Sequence, residues 1–166
     1  MGTSSVFTML CRELSRRAIP ALRGAGFQLP PQDFGRKEMR YDFKRQAPDG
    51  WHVLSILFDR YRHPHFSVQI YIEPKSGMEH LIATGGTLLV GYVRARYRPW
   101  PLNLATFRAD RPYWQRALGL KGSREAEAVT AFLELMPEIE TWWKSQVSSK
   151  HVLTEDVAYQ GTQCAA

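Results

Sequence analysis

Near the start of the chain, apolar residues recur at steps of three and four: Phe7, Leu10, Cys11, Leu14, Ala18, Ala21, Leu22 and Ala25. Arg12, Glu13, Arg16, Arg17 and Arg23 fill the positions between them. That spacing draws one apolar stripe down a helix. Ser4 or Ser5 can cap it, because a short hydroxyl side chain accepts from the unpaired N–H groups of the opening turn. Pro20 lacks an N–H and collides with the turn before it, which predicts a kink or a restart. Gly26 can take the left-handed conformation that ends helices, with Phe27 packing back on the last turn.

After Pro30-Pro31 the period changes from helical to alternating. Met39, Tyr41 and Phe43 alternate with Glu38, Arg40, Asp42 and Lys44, which predicts a half-buried strand. Pro48-Asp49-Gly50 is a turn in which Pro sets the first torsion and Gly takes the awkward one. A second strand runs from Trp51 to Tyr61. His63-Pro64-His65 turns the chain again, and Phe66, Val68, Ile70 and Ile72 alternate in a third. The stretch 75–87 reads as a long connection, with Leu81 and Ile82 as a short added strand. Leu88 to Arg98 reads as a further strand, whose small residues Gly91 and Ala95 let a helix lie close. Asp110 caps a short helix closed by Gly119, and Ser123 caps a longer one along Val129, Phe132, Leu133, Met136, Ile139, Trp143 and Val147. Pro137 inside that stripe predicts a kink or a new helix with proline in its first turn.

Helix, meander, helices is the order of an α+β domain. The expectation is an antiparallel meander sheet of four to five strands, with the N-terminal helix and the C-terminal helices packed mainly on one face. At 166 residues the chain suits one domain, over 1–150, followed by a loose tail over 151–166.

Two of these strands are apolar on both sides. Leu54, Ile56 and Phe58 lie on one face of the second strand, and Trp51, Val53 and Leu57 on the other; Leu88, Val90 and Tyr92 do the same for the fourth. A sheet covered on one side alternates cleanly, so something must cover the second face. The candidates are the 99–120 segment, the C-terminal tail, a second copy of the chain or a different protein.

Charge sharpens the picture. Residues 1–109 hold 16 basic and 8 acidic side chains, a net +8, whereas 110–166 hold 6 and 8, a net −2. Arg94, Arg96 and Arg98 alternate and so project from one face, with Tyr92 and Trp100 beside them. Such a row suits an anionic or protein partner; its plainer account is a solvated sheet face that discourages edge pairing. Arg60 and Arg62 extend the row if the register allows.

The common phosphate-loop, metalloprotease, nucleophile-elbow and Cys-x-x-Cys patterns are missing, so catalysis is not expected. His52, His63 and His65 fall within fourteen positions. Two imidazoles two residues apart can grip one metal, with Asp59 or His80 as a third ligand, but solvated histidines beside a turn are the stronger reading. No metal or cofactor is expected, and a dispersed catalytic site around His52, His63 and Asp59 ranks third among the functions. Two cysteines, Cys11 and Cys164, make no disulfide framework, and the first residues lack a secretory pattern. A cytoplasmic address follows as the expectation, and no apolar run reaches the ~20 residues of a membrane helix.

The helix ending in Leu22-Arg23-Gly24-Ala25-Gly26-Phe27, the segment Phe34-Gly35-Arg36, and Phe66-Ser67-Val68-Gln69-Ile70 in the meander resemble the bacterial domain-of-unknown-function family numbered 4304. The resemblance covers roughly residues 7–75 and implies a small intracellular protein, some relatives of which are thought to be immunity proteins that neutralise a toxin. It carries no catalytic residue. The leading expectation is therefore a non-catalytic bacterial interaction protein, of immunity type, that binds another protein or a second copy through Arg94, Arg96, Arg98, Tyr92 and Trp100. The alternative is a nucleic-acid-binding protein using the same basic face.

Overall fold

A computed structural model describes residues 5–28, 39–95, 106–110, 117–119 and 124–159. Helix α1 (Ser5–Glu13) runs through a π-helical turn (Leu14–Ala18) into α2 (Ile19–Gly24). The wide turn answers Pro20, which has no N–H for the Arg16 carbonyl and whose ring would crowd it. The N–H of Ile19 reaches back five residues, to Leu14 O. The restart foreseen from the proline is thus a π-bulge rather than a break. At the far end Phe27 N–H donates to Leu22 O at 3.0 Å and Gly26 N–H to Arg23 O at 2.9 Å, with Gly26 at φ 87°. This is a Schellman motif, closed by the buried ring of Phe27.

The remaining elements are β1 (Arg40–Ala47), β2 (Gly50–Phe58), β3 (His65–Glu73), α3 (Met78–Thr84), β4 (Thr87–Val93), β5 (Thr106–Arg108), α4 (Glu125–Leu133), α5 (Met136–Ser145) and β6 (Val152–Ala158). The sheet is antiparallel throughout, in the order β1-β2-β3-β4-β6, with β5 beside the first residues of β3. The α+β meander expected from the alternation is present, with one strand more than foreseen.

One face carries the main core. Two cross-strand rows define it, Tyr41–Ile56–Val68–Val93–Val152 and Phe43–Leu54–Ile70–Gly91–Thr154. Leu10, Leu14 and Leu22 from the first helices, Phe132 from α4, and Trp142 and Trp143 from α5 fill the layer above. Gly91 lets the Trp142 ring settle on the sheet, as its small size predicted, and the indole N–H donates to Thr154 Oγ1 at 2.8 Å. Pro137 stands in the first turn of α5, a new helix rather than a kink.

Four expectations need correction. Residues 151–166 are not all a loose tail: Val152–Ala158 is the edge strand β6, paired along the whole of β4. Leu81 and Ile82 lie in the helix α3, bracketed by Gly77 at φ 85° and Gly85 at φ 69°, and not in a strand. Strand β4 ends at Val93, short of Arg98. Val147 is 64% exposed, because Gln146 at φ 52° has already ended α5. The cap at Ser123 and most of the 110–118 helix lie outside the described residues.

Candidate interaction surface

The second face of the sheet is built from the alternate residues of the same strands. One row across it is Lys44–Val53–Tyr71–Val90–Glu155, and the next is Asp42–Ser55–Gln69–Tyr92–Leu153. Val53, Tyr71, Leu88 and Val90 form a small buried cluster, so this face is as apolar as the sequence implied. Its cover is largely the chain's own. Met78 and Leu81, one helical turn apart on α3, pack on the cluster together with Trp51, Tyr92 and, from the C-terminal stretch, Val157 and Tyr159. The need for a second molecule over this part of the sheet therefore falls away. The connection 75–87 supplies the lid, because its apolar pair has helical and not strand spacing.

Beside the lid the face turns polar. Ser55, fully buried, donates to Asp42 Oδ1 at 2.5 Å. Arg40 donates through Nε to Asp42 Oδ1 at 2.8 Å and through Nη2 to Ser55 Oγ at 3.2 Å and the Tyr71 hydroxyl at 3.0 Å. Every polar group in the knot has a partner, as burial demands. Lys44 pairs with Glu73 at 2.5 Å.

Of the residues singled out from the sequence, Tyr92 lies in β4 between Gln69 and Leu153, half-buried. Burial pushes its phenol pKa up, and Glu155 and Tyr159 add to the shift. Arg94, just past β4, donates its backbone N–H to His151 O at 2.7 Å and its Nη2 to Lys150 O at 3.4 Å. Arg96, Arg98 and Trp100 lie outside the described residues. The register supplies what sequence spacing could not. Arg40 stands opposite Leu57, Arg108 stands opposite His65, β4 ends beside the start of β3, and the β2–β3 loop carries Arg60 and Arg62. Five arginines, carried by three strands and a loop, thus gather at one end of the sheet. Arg108 is tied to Asp110 at 2.8 Å.

The same end holds Asp59, His63 and His65. Asp59 accepts from the backbone N–H of Tyr61 at 2.8 Å and of His63 at 3.2 Å, and from His63 Nδ1. Burial opposes its ionisation, but these hydrogen bonds outweigh burial and hold the carboxyl below the usual range. His65 Nε2 is 3.6 Å from the same carboxylate, and its ring stacks on His63. Burial pushes the His65 pKa down; Asp59 pulls the other way, and Arg108 and His63 add to the depression.

His52 belongs elsewhere. It lies at the start of β2, with Asp59 beyond that strand's other end, so the dispersed site of His52, His63 and Asp59 is not assembled. Its Nδ1 sits 3.2 Å from Arg45 Nη2, which can only donate, so the proton is on Nε2, 3.1 Å from Asp49. The ring stacks on Trp143, and Arg45 holds Glu140 through two bonds of 2.8 Å. His80 is exposed on α3. Among the described residues no group of three or more His, Cys, Asp or Glu side chains is placed to hold a metal ion, and no helix is long and apolar enough to cross a membrane. Compared with known proteins, the chain matches no family model, no curated protein and no solved structure.

Proposed function

We propose that the chain is a non-catalytic protein-interaction module whose partner docks on the second sheet face beyond α3, against Tyr92 and Arg94. The observation that carries the reading is the division of that face. The rows under α3 are closed, whereas Leu57, Gln69, Tyr92 and Leu153 in the rows beyond it remain partly exposed, flanked by Arg40 and Arg94. Tyr and Arg are the side chains that most often carry interface energy. A guanidinium on either flank suits a partner with an acidic surface. Arg96, Arg98 and Trp100 belong to the proposal through their spacing after Arg94. A toxin neutralised by an immunity-type protein is the partner class that the family resemblance implies.

The test is capture from the source cell on immobilised protein, comparing the wild type with Tyr92→Ala and with Arg94→Ala, each checked for an unchanged melting profile. One acidic protein should be retained by the wild type and weakened about tenfold or more in the variants. Equal retention by all three would remove these residues from the site.

A further inference from the structure

The opposite flank of the arginine end carries a feature that the docking face does not use. In the β2–β3 loop Tyr61 is 66% exposed, with the Arg60 guanidinium over its ring 4.6 Å from the centroid. The loop is fixed rather than free. Asp59 accepts from the backbone N–H of Tyr61 and His63, Arg62 N–H closes a turn on Asp59 O at 3.1 Å, and Arg62 holds a left-handed φ of 55°. The end of β2 packs on α1, where the Phe7 and Phe58 rings meet edge to face at 5.3 Å, and in the loop that follows Arg62 is near enough to lower the pKa that burial has raised on Cys11. Arg12, the next residue of α1, is exposed, and among the described residues neither it nor Arg60 makes an ion pair.

An aromatic ring presented on a rigid loop among guanidinium groups is the arrangement that binds unpaired nucleic acid, because a base stacks on the ring while phosphates meet the cations. Carboxylate side chains, as in polyglutamate, would use the arginines but offer no flat group to stack on the ring. We infer that the β2–β3 loop and the neighbouring flank of α1 bind an unpaired polynucleotide strand, with Tyr61 stacking a base and Arg12, Arg60 and Arg62 meeting phosphates. This does not rest on the protein partner proposed above, which uses the other flank.

The probe is a fluorescein-labelled oligothymidylate of roughly 20 nucleotides, followed by anisotropy. Three neutralised phosphates predict affinity falling about 20-fold between about 50 and 200 mM salt. Tyr61→Ala should weaken binding about tenfold at constant salt. Arg60→Glu with Arg62→Glu should abolish it, and Arg94→Ala should leave it unchanged. All these positions are surface or loop residues, and unchanged thermal melts would verify the fold. Absence of binding by the wild type overturns the inference. So does a Tyr61→Ala protein of unaltered affinity, displacement of the strand by polyglutamate at equal charge, or an Arg94→Ala loss as large as that of the loop variants.

Discussion

A Cβ added at Gly91 would lie 2.7 Å from Ile70 Cγ1 and 3.0 Å from both Trp142 Cε2 and Val152 Cγ1. None of the three can retreat, because each is packed in the main core. Gly91→Ala should therefore cost about 1–3 kcal/mol through overpacking, read as a lower urea midpoint at unchanged slope. A midpoint at or above that of the wild type would mean that the indole does not rest on the glycine. Glu138, in the first turn of α5, makes a comparable point in polar terms. It accepts from Ser149 Oγ, and from His151 N and Nδ1 at 2.7 and 2.8 Å, which ties down the turn between α5 and β6. Burial works against its ionisation, yet the bonds prevail and its carboxyl titrates below the ordinary range.

At the scale of elements, α3 is held by little. It is seven residues long, has no buried side chain, and grips the sheet through Met78 and Leu81 between glycines with positive φ. Most of its worth is the cover it gives Val53, Tyr71, Leu88 and Val90. Met78→Ser with Leu81→Ser should loosen that cover at a cost of about 1–3 kcal/mol, and the protein should bind more of an apolar dye and self-associate. A monomeric variant with dye binding like the wild type would show that other residues close the face. This element also marks the limit of what the chain shows before it folds. The alternation of β1 and β3 was legible because both strands put polar residues between their core ones. The two-sided burial of β2 was legible from Trp51, Val53 and Leu57. The cover was not, since Met78 and Leu81 reveal themselves as a face only once Gly77 and Gly85 have made the segment a helix. Strand β6 was hidden because Thr154, Glu155 and Asp156 interrupt its apolar residues; Thr154 faces the core only as the partner of the Trp142 indole. Asp59, His63 and His65 were visible as neighbours in sequence. The knot of Arg40 with Ser55 and Tyr71 was not, because it exists only in a particular register.

For the molecule as a whole, a few half-buried groups set a pH response in two stages. His52 and His65 both have pKa values pushed below the ordinary histidine range, in each case chiefly by burial. Asp49, Arg45 and Glu140 face His52; Asp59, His63, Arg108 and Asp110 face His65. A depressed histidine is neutral in the folded chain while the unfolded chain takes up the proton, so stability is whole above about pH 6.5 and declines as pH falls towards the folded value. Each such group contributes a slope of at most about 1.4 kcal/mol per pH unit. Below about pH 4.5 a second loss begins, because Asp59, Asp110 and Glu138 are held below their ordinary range and must be protonated on unfolding. Urea unfolding followed from about pH 7 to 3 should show both limbs. Replacing the two histidines, His52→Gln and His65→Gln, should flatten the upper limb and leave the lower one, since glutamine keeps an acceptor for Arg45 but cannot charge. A wild type equally stable on both sides of the histidine range, or a double variant that keeps the upper slope, would mean that neither ring is held neutral by its place in the fold.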